Sequence, residues 1–157
     1  MRYYEKLTTD DLKEMRDYAL RELERFCQIG QGKYSIYKEK LVAICLCQGA
    51  AKHYVYQKNG VEDIDIWFFF EEDENVKIPH IGNMRKLIWA TLTKLGTKPF
   101  DFLKKMIPLD FVVENDKSKT IHNYLERCKT RTAEILSEKP IVGLYPDEVF
   151  GKVLWLR

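Results

Sequence analysis

Apolar residues recur three and four positions apart through residues 8–28, which is the spacing of a helix that buries one side. The apolar positions are Leu12, Met15, Ala19, Leu23 and Phe26. Thr8 or Thr9 is placed to cap the N-terminus of this helix, the two aspartates that follow suit its positive end, and Gly30 and Gly32 mark its stop. The pattern therefore predicts an amphipathic first helix.

Two strands with a short connection follow that helix. Residues 41–47 are a β-rich apolar run, and residues 48–60 form a connection with room for one helical turn. From residue 62 to residue 70 the positions alternate with a period of two. Ile64, Ile66 and Phe68 share one face of this strand, and Asp63, Asp65 and Trp67 share the other. We expect a strand that carries two carboxylates on one face.

The second half of the chain contains both kinds of spacing again. Helical spacing over residues 82–95 predicts a second helix, and residues 118–138 have the most regular helical stripe. The run 104–115 predicts a third strand, in which Pro108 favours an edge position or a bulge because proline lacks a backbone donor. The acidic run 71–75 is typical of a solvated loop.

The order of these elements predicts one α/β (α+β) domain over residues 1–157, with a small mixed sheet flanked by helices. Residues 140–155 add two short apolar segments to the same core, and no repeat or linker divides the chain. A chain of this length buries roughly two thirds of the surface that its unfolded form exposes. We therefore expect a folded core without disulfides.

Composition and charge argue against several classes of protein, among them dedicated nucleic-acid binders and membrane proteins. The chain is 45% hydrophobic and 32% charged, as in an ordinary globular protein, and its net charge of +2 is far from that of a dedicated nucleic-acid binder. It shows no secretion signal and no apolar span, so we expect a cytoplasmic protein without membrane contact. The four cysteines lack the spacing of a zinc site and the density of a disulfide scaffold, which indicates reduced, packed thiols.

Three aspartates interrupt otherwise apolar strand patterns. Asp63 and Asp65 lie about 6.6 Å apart on one face of their strand, close enough to share a cation or a pair of cations. Asp110 interrupts the third strand in the same way. A buried carboxylate without a partner costs several kcal/mol, and oxygen ligands alone select a hard ion. If the two strands are neighbours, these acids predict a site for one or two Mg²⁺ or Mn²⁺ ions.

A turn of small residues precedes the paired acids. Gln48, Gly49 and Ala50 follow strand 41–47 directly, and small side chains let backbone N–H groups approach an anion at the start of a helical turn. Lys52 and His53 come next and could offset phosphate charge, although a solvated lysine and a packed histidine explain them equally well. This turn is where we expect a triphosphate to bind.

The succession of a strand, a small-residue turn, D-x-D on the next strand and a single Asp on a later strand resembles the nucleotidyltransferase superfamily typified by DNA polymerase β and the minimal nucleotidyltransferases. The resemblance covers roughly residues 38–115. The segments CQGAAKHY and GVEDIDIWFFF are also similar to those of small prokaryotic nucleotidyltransferase-like proteins.

The resemblance implies that Asp63 and Asp65 are metal ligands, that Asp110 is the third carboxylate, and that Gly49 and Ala50 match the Gly-Ser turn of the family. It implies transfer of a nucleoside monophosphate from an NTP to a hydroxyl acceptor, which is unknown and could belong to a protein. Two departures weaken the inference to activity: Ala50 replaces the serine, and twelve residues separate Ala50 from Asp63 where the minimal family usually has ten. By analogy alone, a helical partner in a toxin–antitoxin type pair is a further expectation.

Other interpretations of the acids stay open. In one, Asp63 only starts a strand and Asp110 pairs with Lys104 or Lys105. In another, the fold is retained as a catalytically inactive nucleotide-binding or protein-interaction module, which Ala50 supports. A last alternative is RNA binding by basic residues near the C-terminal helix, which we consider unlikely because acids interleave with them and the helix is explained by its apolar stripe. Those basic residues are Lys117, Lys119, Arg127, Lys129 and Arg131.

Overall fold

The computed structural model describes residues 4–78, 85–90, 100–127 and 129–156. Its α-helices are α1 (Thr9–Gly32), α2 (Gln48–Tyr56), α3 (Lys117–Arg127) and α4 (Arg131–Ser137), and short 3-10 helices cover Ser35–Lys38 and Asp147–Val149. Its strands are β1 (Leu41–Cys47), β2 (Asp63–Glu71), β3 (Arg85–Ala90), β4 (Phe100–Leu109), β5 (Ile141–Tyr145) and β6 (Val153–Trp155). The first helix and the first two strands match the sequence prediction, and α2 is longer than the single turn that the sequence predicts.

The described strands form one sheet in the order β3-β4-β2-β1-β5-β6. β2 and β4 run parallel, while β1 is antiparallel to both β2 and β5, β3 is antiparallel to β4, and β6 is antiparallel to β5. The prediction of an α/β (α+β) fold with a mixed sheet is therefore confirmed.

The sheet separates two apolar cores, one on each face. Ile64, Ile66 and Phe68 belong to the core beneath α1 and α2, whereas Trp67 and Phe69 belong to the core beneath α3 and α4. Each core is thus built from alternate residues of β2, because successive strand side chains point to opposite faces. Helices lie on both faces of the sheet, as predicted.

Local sequence signals explain how α1 begins. The Thr8 side chain accepts a hydrogen bond from the Asp11 backbone N–H at 3.4 Å, and the Thr8 backbone N–H donates to the Asp11 carboxylate at 2.7 Å. This reciprocal capping box satisfies two helix-terminal donors. Near its other end α1 has non-helical backbone from Ile29 to Gln31, including Gly30, where the sequence predicts the stop.

Two helix predictions are wrong. Residues 85–90 form strand β3 instead of the middle of a helix, and the rest of the predicted helix over 82–95 lies outside the described residues. The continuous apolar run of Leu87 to Trp89 fits either structure locally, and antiparallel pairing with β4 decides the outcome. The predicted helix 118–138 is two helices, because Thr130 caps α4 by accepting from the Ala133 N–H at 3.2 Å.

The third strand lies earlier in the sequence than predicted, at Phe100–Leu109 rather than 104–115. Pro108 pairs in register with Phe70 of β2, while the described pairing with β3 ends at Lys104. Within the described residues, Pro108 therefore occupies an edge-like stretch of β4, which tolerates a missing N–H donor.

The remaining composition-based predictions concern cysteines, the acidic loop and membranes. Cys27, Cys45 and Cys47 are free and buried, as predicted, and burial raises the pKa of the Cys45 thiol.

In the acidic loop Asp73 accepts hydrogen bonds from two backbone N–H groups, which lowers the pKa of its carboxyl and fixes the turn. Among the described helices, none is long and apolar enough to cross a membrane.

Candidate functional site

A cavity of about 860 Å³ opens where β1 ends and β2 begins. Polar residues from four parts of the fold line it. They are Gln48, Gly49 and Lys52 from α2, Asn59, Gly60 and Glu62 from the loop before β2, Asp63, Asp65 and Trp67 from β2, and Lys105 from β4. Tyr4, Ile135 and Lys139 complete the wall. The paired aspartates and most of the predicted nucleotide turn thus meet in one cavity.

Asp63 and Asp65 lie at the start of β2, and both are half-buried. Asp65 is in register with Cys47, the residue immediately before α2, which brings the acids to the start of that helix. Burial, reinforced by the nearby Asp63 carboxylate, raises the pKa of the Asp65 carboxyl to about 6. A nearby cation would favour the charged form of such a carboxyl, so its position is chemically suited to a metal ion.

Asp110 does not join the other two aspartates, and the predicted trio is wrong. It is exposed and lies one residue past the end of β4, next to Leu109, whose register partner is Glu71 at the far end of β2. Glu71 lies six residue positions after Asp65 along β2, a distance of about 20 Å. Because β4 is parallel to β2, an acid at the end of β4 is at the wrong end of the sheet. Asp110 borders a separate cavity of about 420 Å³.

The backbone of β4 places another aspartate at the position that Asp110 was expected to fill. Asp101 is the register partner of Asp63, and Lys105, two alternations later, is the register partner of Trp67. Asp101 was not among the predicted site residues because the predicted third strand begins only at Lys104. The signal was present in the segment FDFL, where Asp101 stands between two phenylalanines as Asp65 stands between two isoleucines.

Among the side chains that the structure describes, no group of three potential ligands surrounds one point. The described carboxylates that face the cavity therefore come from Glu62, Asp63 and Asp65, which are neighbours in sequence. The alternative pairing partners of Asp110 are also engaged elsewhere. Lys104 lies 3.9 Å from the buried Glu22 carboxylate of α1, and Lys105 faces the cavity.

The N-terminus of α2 is shaped differently from an ordinary helix start. Gln48 has a φ of +59°, a conformation that costs a non-glycine residue about 1 kcal/mol. Its buried Nε2 group has no hydrogen-bond partner within the described residues, and Cys47 provides no side-chain cap. A Cβ atom added at Gly49 would meet nothing within 4 Å. The first turn of α2 thus presents donors and open space to the cavity.

Two of the five predicted nucleotide contacts face away from the cavity. The Ala50 side chain is 1% exposed and packs in the core beneath α1, so that residue offers at most its backbone N–H. His53 is also 1% exposed, with its Nε2 atom 2.8 Å from the Glu5 carbonyl and its Nδ1 atom 3.3 Å from the Lys58 carbonyl. The prediction that His53 offsets phosphate charge is wrong, because this ring holds two backbone segments together.

Lys105 is a residue of the cavity that sequence reasoning did not assign to it. Its Nζ atom lies 5.0 Å above the Trp67 ring, and partial burial lowers the pKa of its ammonium group. Trp67 itself is 1% exposed, and its Nε1 group has no partner within the described part of the chain. Lys139, which follows α4, also lines the cavity and favours the charged form of Asp65.

Comparison with protein-family models, with curated proteins and with solved structures finds no match in any of the three.

The basic residues of the RNA-binding alternative lie away from this cavity. Arg127 lies over the Phe111 ring at 5.5 Å, and Arg131 forms an ion pair with Glu134 at 3.6 Å. These two cations of the set are thus engaged within the chain itself.

Proposed function

We propose that the chain is a Mg²⁺-dependent nucleotidyltransferase that moves a nucleoside monophosphate from an NTP to a hydroxyl acceptor. The observation that carries this proposal is the meeting of Asp63 and Asp65 with the N-terminus of α2 across one cavity. Carboxylates that bind a divalent ion and backbone donors that bind phosphate are the two components that such a reaction requires. The resemblance of the D-x-D segment to nucleotidyltransferases supports the same assignment.

The residues at this position fit a hard divalent ion. Asp63 and Asp65 offer only oxygen ligands, and the raised pKa of the Asp65 carboxyl reflects a crowded, partly buried negative charge that a cation would relieve. When bound, Mg²⁺ or Mn²⁺ would neutralise phosphate charge and orient the leaving group. From its register position opposite Asp63, we propose Asp101 as the third carboxylate in place of Asp110.

The residues of α2 would hold the phosphates. Gln48 and Gly49 border the cavity, and the backbone N–H groups of this first helical turn are the donors that would bind phosphate. Lys52, one turn later, adds a positive charge on the same wall. The function of these groups is to fix the phosphate chain beside the acid pair, because positioning supplies much of the rate in phosphoryl transfer.

A transfer assay with radiolabelled NTPs tests the proposal. The chain is incubated with each of the four α-labelled NTPs and MgCl₂ or MnCl₂, with and without cell extract as a source of acceptors. We expect metal-dependent release of pyrophosphate and label transfer, reduced more than about 100-fold by Asp63→Asn or Asp65→Asn. Asp101→Asn should act like these variants, whereas Asp110→Asn is the matched control and should retain activity. If the Asp63→Asn and Asp65→Asn variants were as active as the wild-type protein, the proposed mechanism would be excluded.

A nucleotide-binding module without catalysis is the second candidate. The observation that favours it is the burial of Ala50, which leaves the turn without a hydroxyl at the position where the family has serine. Isothermal titration with a nonhydrolysable NTP distinguishes the two functions. Binding without turnover in the transfer assay favours the module, while turnover favours the enzyme.

A further inference from the structure

Three lysines from three separate elements border the same cavity. Lys52 belongs to α2, Lys105 to β4, and Lys139 to the segment between α4 and β5. All three are half-buried, and within the described residues none makes an ion pair at 4.0 Å or less. Lys139 is close enough to Asp65 to favour the charged form of that carboxyl, but it makes no contact at ion-pair distance. Three positive charges from separate elements thus surround one cavity, which is the arrangement expected of a site for an anionic ligand.

Lys105 shows the clearest sign of being positioned for a ligand. Its ammonium group is held 5.0 Å above the ring of the buried Trp67, an interaction that fixes a cation without neutralising it. Partial burial lowers the pKa of this group, because the charged form has lost part of its hydration. An anion that reaches the ammonium would replace the lost hydration.

The acids and the lysines of the cavity come from different segments of the chain. Glu62, Asp63 and Asp65 lie together at and just before the start of β2, whereas the lysines come from other elements that surround the cavity. A small monovalent anion would contact only part of such a wall. A chain of several phosphates provides multiple negative charges and can contact the lysines while one end lies beside the acids.

We propose that Lys105 and Lys139, together with Lys52, form a polyphosphate-binding wall that makes the site select ligands with a triphosphate chain over those with one phosphate. This inference deepens the proposed function and rests on it for the identity of the natural substrate. Lys105 and Lys139 act as binding and positioning residues. Their contacts to phosphate do not require a metal.

Isothermal titration of the full chain in EDTA tests the wall directly. The ligands are inorganic tripolyphosphate, pyrophosphate, orthophosphate and ATP. We expect tripolyphosphate and ATP to bind more tightly than pyrophosphate, and orthophosphate to bind least. Lys139→Gln and Lys105→Gln should each weaken tripolyphosphate binding by about tenfold, since each removes one charged contact. Lys129→Gln, an exposed lysine beyond the cavity, is the matched control and should change nothing.

Folding and function are separated by further measurements. Lys105→Met keeps an unbranched apolar side chain over Trp67 without the charge, so it should lose binding as Lys105→Gln does, whereas Lys105→Arg should restore binding. Thermal unfolding of each variant monitors the fold. If tripolyphosphate affinity is unchanged in both Lys105→Gln and Lys139→Gln, the proposal of a polyphosphate-binding wall is wrong, even if nucleotide transfer is observed. Charge-dependent tripolyphosphate binding without any nucleotide transfer supports the wall and removes the enzymatic proposal instead.

Discussion

Replacement of Asp65 by asparagine should stabilise the protein while it removes a proposed metal ligand. The Asp65 carboxyl is partly buried beside Asp63, and these two effects raise its pKa to about 6. In the unfolded chain the same group titrates near pH 4, at about the ordinary value of an aspartate. Ionised Asp65 therefore opposes folding when no cation is bound, and a neutral amide of the same shape relieves that cost.

The sign of the pH dependence follows from the two pKa values. The folded protein binds the Asp65 proton more tightly than the unfolded chain does, so the free energy of unfolding falls as pH rises from about 4 to about 6 and stays low above that range. Each tenfold difference in proton affinity corresponds to about 1.4 kcal/mol. A pKa difference of about two units therefore means that ionised Asp65 lowers the free energy of unfolding by about 3 kcal/mol at neutral pH. Because Asp65 keeps some contact with solvent, we expect Asp65→Asn to gain about 1 to 3 kcal/mol.

Thermal unfolding followed by circular dichroism measures this gain. For a chain of this size each kcal/mol corresponds to about 2 to 4 °C in Tm, so Asp65→Asn in EDTA should unfold several degrees above wild type at about pH 8. At about pH 4 the Tm difference should nearly vanish, because Asp65 is then protonated in the folded state and about half protonated in the unfolded chain. Asp110→Asn, at the exposed end of β4, serves as control and should shift Tm little at either pH.

Addition of divalent metal should reverse the order of stability. Millimolar MgCl₂ is expected to raise the Tm of wild type and not that of Asp65→Asn, since a ligand that binds only the folded state stabilises it by mass action. The reasoning is refuted if Asp65→Asn is less stable than wild type at about pH 8 in EDTA, or if its advantage is the same at about pH 4.

The other predictions concern residues whose function is structural. Gly143→Ala would place a Cβ atom 2.1 Å from the Val149 carbonyl oxygen and should lower the free energy of unfolding in urea by about 3 kcal/mol or more. Gly49→Ala, where the added Cβ atom would meet nothing within 4 Å, should lower it by less than about 1 kcal/mol. Equal losses in the two variants would contradict the close packing at Gly143. His53→Gln should lower the free energy of unfolding by about 2 kcal/mol at unchanged NTP affinity, and the opposite result would return His53 to the phosphate site. Thr8→Ala should cost about 1 kcal/mol in the same urea titration, and no change would show that the capping box contributes nothing.

The helices and strands that were predicted correctly are those whose sequence signals lie within a few neighbouring residues. Thr8 supplies a helix cap through residues three positions away, and the alternation of Ile64, Asp65 and Ile66 records two faces with different surroundings. These signals depend on periods of 3.6 and 2 and on neighbouring atoms only. The first helix, the first two strands and the acid pair were predictable for this reason.

Pairing between distant segments decided the elements that were predicted incorrectly. The run of Leu87 to Trp89 has no local preference strong enough to choose between helix and strand, and β4 makes the choice. The third carboxylate depends on strand direction and register as well. In an antiparallel pair an acid after the end of β4 would have approached the start of β2, but the parallel pairing places Asp101 there and moves Asp110 to the other end.

The sequence by itself determined an α/β chain with two carboxylates on one strand face beside a turn of small residues, because these features are encoded within a few consecutive positions. Only the tertiary structure decided which other groups meet them. Lys105 and Lys139 come from segments 40 and 74 residues after Asp65, and no periodicity relates such positions. Their convergence follows from the register of β4 against β2 and from the packing of α4 on the sheet, both of which depend on the whole chain.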